Sequence, residues 1–135
     1  MKVVLDTNVL MSGIFFGGSP AKVLDAWRGG RFGLVVSAEI KNEYARVAEE
    51  LTSEYGAFDA GRILQLIART AETVCPEPLN DQVCSDPDDD IFIATAIAGK
   101  AGVIVSGDKA LRRVSGFHRI SILSPGDFMR VLGGE

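Results

Sequence analysis

The chain has 135 residues, 47% of them hydrophobic and 24% charged, with a formal net charge of −4. That is enough for one domain, 1–135, with a real core, and no apolar run approaches the ~18–20 residues of a membrane span. Asp6 interrupts the N-terminus too early for a signal peptide, so a cytoplasmic protein is expected.

Strand and helix signals alternate along the chain. Lys2–Leu5 is a short β-rich run, and Asn8–Phe16 reads as a helix stopped by Gly17-Gly18. Ser19-Pro20 predicts a second helix start, with Ser as N-cap and Pro at the first helical position; Gly29-Gly30 ends that helix, and Phe32–Val36 is the next strand. Ser37 predicts a cap for a helix reaching about Ser53, with Ile40, Tyr44, Val47 and Leu51 as one apolar stripe. Ala57–Ala71 repeats the helical pattern, and Thr73–Cys75 is a short strand. A Pro-rich connection, Pro76–Pro87, leads into a helix over Asp89–Gly99 with an acidic first turn. Val103–Ser106 is a strand, Asp108–Val114 a short helix and Ile120–Leu123 a strand. Ser124-Pro125 caps a last helix to Leu132.

Short apolar strands joined by helices imply crossover connections. The expected fold is a three-layer α/β/α sandwich around a central, mainly parallel sheet of four or five strands. Cys75 and Cys84 form no C-x-x-C pair and are expected as buried free thiols. The one histidine, His118, is expected in a surface loop, which leaves zinc-hydrolase chemistry short of ligands. A Ser-His-Asp triad would depend on His118, and no G-x-S-x-G accompanies it.

Four groups of carboxylates stand where the chain passes from one element to the next: Asp6, Glu43, the run Asp86-Pro87-Asp88-Asp89-Asp90, and Asp108. Each alone has an ordinary explanation: Asp6 and Asp108 as caps, Glu43 as a solvent-facing helix former. The helix dipole accounts for one or two acids of the run but not four. An EF-hand loop fails because Ile91 and Ile97 stand where Gly and Glu are required. Acids gathered at strand ends repel unless a cation offsets them. Oxygen-only donors favour Mg²⁺ or Mn²⁺ over zinc.

The ordered motifs V-V-L-D-T-N-V-L, S-A-E-I-K-N-E-Y-A-R-V, D-P-D-D-D-I-F-I-A-T-A and V-I-V-S-G-D-K-A-L resemble the PIN domain across essentially the whole chain. More narrowly, they are similar to the small prokaryotic VapC-like toxins of toxin–antitoxin pairs. The resemblance implies an Mg²⁺- or Mn²⁺-dependent ribonuclease with catalytic and metal-binding acids at Asp6, Glu43, Asp89 and Asp108. Counting back from Ala96 gives Asp89 as the third acid, with Asp90 the alternative one step away and Asp86 a turn earlier. Asn8 and Ser106 are supporting residues, Ser106 standing where the family usually has Thr.

The expected reaction is hydrolysis of a phosphodiester by a metal-activated water, leaving a 5′ phosphate. Asp6 and Asp89 would be primary ligands. Lys109, Arg112 and Arg113 are candidate RNA-backbone contacts, with Arg28 and Arg31 further candidates. Expected partners are RNA, a small antitoxin encoded nearby and a second copy of the chain. A haloacid-dehalogenase-type phosphatase would need an acid where Asn8 stands, and a response-regulator receiver has its acids arranged otherwise. A PIN scaffold used only for binding is the non-enzymatic alternative.

Overall fold

A computed structural model describes residues 1–56 and 60–133. Five strands, β1 (Lys2–Leu5), β2 (Gly33–Ser37), β3 (Glu72–Val74), β4 (Val103–Val105) and β5 (Ser121–Leu123), form one sheet in the order β3-β2-β1-β4-β5. All four pairings are parallel. Parallel neighbours need crossovers, and helices supply them: α1 (Thr7–Phe15) and α2 (Gly18–Arg28) after β1, α3 (Ala38–Tyr55) and α4 (Ala60–Thr70) after β2. α5 (Asp90–Gly99) precedes β4, α6 (Lys109–Arg112) joins β4 to β5, and α7 (Pro125–Leu132) follows β5.

Helices cover both faces of the sheet, giving the expected three-layer α/β/α sandwich. The central strands are accordingly apolar over their buried lengths: Val3, Val4, Leu5, Ile104 and Val105 have no exposed surface. α5 packs against β1, β2, β3 and β4 and is buried over most of its length. It lies so close to β2 that a Cβ on Gly99 would meet Val35 Cγ1 at 2.4 Å. No helix among the described residues is long and apolar enough to cross a membrane.

Three expectations need correction. Ser19 does not cap α2, which begins at Gly18 after Gly17 turns the chain at φ 88°, a left-handed conformation that suits glycine. Helix α5 starts at Asp90, one residue later than expected, because Pro87–Asp89 winds first into a 3-10 turn. Of the two free cysteines only Cys84 is buried; Cys75 follows edge strand β3 and is exposed. The expected start of the fourth helix, at Ala57, lies outside the described residues. His118 is exposed, as expected, in a 3-10 turn (Phe117–Arg119) before β5.

Candidate functional site

Strands β1 and β4 are neighbours, yet the chain passes from β1 outward to β2 on one side and from β4 outward to β5 on the other. Such a reversal opens a crevice beyond the carboxyl ends of the two strands. Asp6 is the first residue after β1 and Ser106 the first after β4. The Asp6 N–H donates to the Val105 carbonyl at 2.9 Å, which joins the strand ends up to the acid itself. The Ser106 hydroxyl donates to Asp6 Oδ2 at 2.6 Å and accepts the Asp108 N–H at 3.0 Å. Asp108 is exposed and caps α6, its Oδ1 accepting the Ala110 N–H at 2.9 Å. One serine thus links two of the four expected acids.

Glu43 arrives from the other side of β1. Ser37 caps α3 by accepting the Ile40 N–H at 3.2 Å, and Ile40, Tyr44 and Ala48 bury one stripe of the helix. The buried Tyr44 hydroxyl donates to the carbonyl of Leu5, the last residue of β1, at 2.5 Å. Burial and the charges of Asp6 and Glu43 push its ionisation far upward, so this donor stays protonated. With Tyr44 pinned there, the adjacent Glu43 meets the start of α1: Thr7 Oγ1 donates to Glu43 Oε2. Thr7 and the Tyr44 hydroxyl were the contributors missed in the sequence. Tyr44 was visible there only as one member of an apolar stripe.

The acidic run divides its labour. Asp86 opens the 3-10 turn by accepting the Asp88 N–H at 2.9 Å. Asp89 makes no side-chain cap bond. Burial, then the charges of Asp6, Asp86, Asp108 and Glu43, push its carboxyl up to about 6. Asp90 is turned to the preceding connection, accepting the Cys84 N–H at 2.7 Å and the Val83 N–H at 3.1 Å. Asp90, with burial as the larger cause, pushes the Cys84 thiol up to about 12. Of the two candidates in that register, Asp89 is coupled to the other acids and Asp90 is committed to the loop.

The Asp6 carboxyl is also raised, first by burial and also by Glu43 and Asp108, against the lowering effect of its bonds from Ser106 and the Asn8 backbone. Asn8 therefore contributes its N–H to Asp6; its side chain is exposed. Lys109 and Arg113 are exposed just beyond Asp108, and half-buried Arg112 reaches the Ser106 carbonyl at 3.4 Å. Arg28 and Arg31 fall near the amino end of β2, at the opposite edge of the sheet, and Arg31 is tied to the Leu132 carbonyl at 2.9 Å.

The PIN domain family matches residues 2–110. The chain is also 34% identical over 116 residues to Uncharacterized protein MJ1680 of Methanocaldococcus jannaschii, across 82% of this chain and 73% of that protein. The chain belongs to the PIN domain family. A PIN domain is a nuclease-like scaffold that typically uses divalent metal ions, and the donors here are of the right chemistry: hard carboxylate oxygens, desolvated and mutually repelling. Among the described residues no three carboxylates close into a shared ligand group.

Proposed function

We propose that this PIN protein is an endoribonuclease, dependent on Mg²⁺ or Mn²⁺, that hydrolyses RNA phosphodiester bonds in the cytoplasm. The observation that carries this reading is the link that Ser106 makes between Asp6 and Asp108 at the strand-reversal crevice, with the charges of Asp6, Asp108 and Glu43 also bearing on Asp89. Asp6 and Asp89 would hold the ion, with Glu43 and Asp108 acting through water. When bound, the ion supplies Lewis-acid polarisation of the phosphate and a lowered pKa for the attacking water. The chain's own groups do the rest. Ser106 and the Asn8 N–H keep Asp6 oriented and favour its ionised form, Thr7 fixes Glu43, and Lys109 and Arg113 stand ready for backbone phosphates. His118 lies at the other edge of the sheet, before β5, so no imidazole serves the crevice as general base.

Water attacks phosphorus, the P–O3′ bond breaks, and the products carry a 5′ phosphate and a 3′ hydroxyl. Single-stranded RNA incubated with Mn²⁺ should show such ends. Cleavage should disappear in EDTA and fall at least ~100-fold in Asp6→Asn, the scale of losing several kcal/mol of transition-state stabilisation. Cleavage that survives EDTA, or an unimpaired Asp6→Asn, would overturn the reading.

The VapC-like resemblance supports a toxin role, with a small antitoxin and a second copy of the chain as partners. A binding-only module is favoured by one observation, the separate engagement of the carboxylates by hydroxyl and backbone donors. The same assay decides it.

A further inference from the structure

Charge is segregated along this acidic chain. Between Lys100 and Arg119 stand five cations, Lys100, Lys109, Arg112, Arg113 and Arg119, with a single acid, Asp108, which belongs to the crevice. That stretch is the crossover from the end of α5 through β4 and α6 to the start of β5. It begins and ends at the amino edge of the sheet, where Lys100, His118 and Arg119 line one cavity of about 270 Å³ together with Gly102, Ile97 and Ile120. No carboxylate lines that cavity, and none of the three basic residues takes part in an ion pair among the described residues.

The backbone there is unusual as well. Lys100 (φ 55°), His118 (φ 49°) and Arg119 (φ 62°) are the left-handed non-glycine residues among the described residues, and all three line this cavity. Lys100 holds the left-handed cap position of α5, where glycine is the usual occupant, and His118 and Arg119 are consecutive. A conformation unfavourable for L-residues, repeated at two cations and a histidine around one cavity, points to a requirement for those side chains. The Phe117 ring, 4.5 Å from the imidazole by centroid, backs His118.

We infer that this cavity is a second phosphate-binding site, remote from the acids, which anchors the backbone of the RNA strand away from the bond being cut. The choice of an RNA strand as occupant rests on the nuclease reading. The two sites lie at opposite ends of α5, a separation of roughly 15 Å at ~1.5 Å per residue. A strand covers that in about five nucleotides at ~3.4 Å each. Lys109, Arg112 and Arg113 lie along the chain between the two sites. Lys100 and Arg119 supply charge and donors, and His118 supplies a ring N–H.

The test uses the one histidine of the chain as reporter. A single-stranded 12-nucleotide RNA is titrated in EDTA, with the His118 imidazole followed by proton NMR and affinity by fluorescence anisotropy at several salt concentrations. Lys100→Gly/Arg119→Gly removes both charges while suiting the left-handed backbone, so it should melt no lower than the parent. The expected result is a saturable shift of the His118 resonance with the 12-mer, and with inorganic phosphate at higher concentration. The double variant should lose that shift, and its slope of log K against log salt should flatten by roughly 1.4, at ~0.7 per phosphate contact. An unmoved His118, with affinity and slope unchanged in the double variant, would overturn the inference and leave the nuclease reading standing. A response to inorganic phosphate alone would overturn strand anchoring in favour of a free phosphate group. Binding as expected in a protein that cuts nothing with Mn²⁺ would defeat the nuclease reading and support this one.

Discussion

At the scale of single residues, Asp89 and Asp90 are neighbours with opposite commitments. Asp89 has an ordinary value of 3.8 and a folded value of about 6, so between those limits the folded protein holds more protons than the unfolded one. Its contribution to stability is therefore lost as pH rises from about 4 to about 6. In EDTA, Asp89→Asn should melt with the parent at pH 4 and above it at pH 7.5, while binding Mn²⁺ more weakly; equal melting at both pH values would contradict the coupling. Asp90→Ala instead strips two backbone N–H groups of their acceptor and should cost about 1–3 kcal/mol in denaturant unfolding. Thr95 offers a gain. Its hydroxyl is buried and without a hydrogen-bond partner among the described residues, so Thr95→Val should stabilise the protein by roughly 1 kcal/mol, read as a higher denaturant midpoint at unchanged slope.

Helices matter here as carriers of acids. α5 brings Asp89 to the crevice because it lies flat on β2, and that closeness depends on Gly99. Gly99→Ala places a methyl against Val35 and should destabilise by about 1–3 kcal/mol despite alanine's better helix propensity. If the variant melts at or above the parent, α5 has room to lift. The strands and the Ser37 and Ser124 caps were legible in the sequence because short apolar runs bounded by Ser, Gly and Pro read locally. The turn ahead of α5 was not, because three consecutive acids cap equally well in adjacent registers. The four acids were read as a set and Ser106 as a supporting residue, but which acid each hydroxyl would meet was not legible. Thr7 meets Glu43 across 36 positions and Ser106 meets Asp6 across 100, pairings that no local pattern encodes.

At the scale of the whole molecule, an ion bound by the native state alone should raise stability, by about 2.7 kcal/mol at a hundredfold excess over Kd. Mn²⁺ should therefore raise the melting temperature of the parent and leave Asp6→Asn nearly unmoved. For a homodimer, an apolar element is on offer: Phe16 and Tyr55, exposed at the far ends of α1 and α3, stack edge to face at 5.2 Å. Light scattering should report a dimer at micromolar concentration, and a monomer whose activity is unchanged on dilution would defeat it. The placement of β1 between β2 and β4 has one more consequence. β1 is made before its neighbours β2 and β4 yet is the middle strand of the sheet, and the register Leu5↔Val105 closes only after some hundred further residues exist. At roughly 5–20 residues per second, the opening segment waits several seconds on the ribosome for its partner. A nascent chain therefore carries Asp6 long before it carries Ser106 or Asp108, so the crevice is assembled only once β4 and the turn after it have emerged.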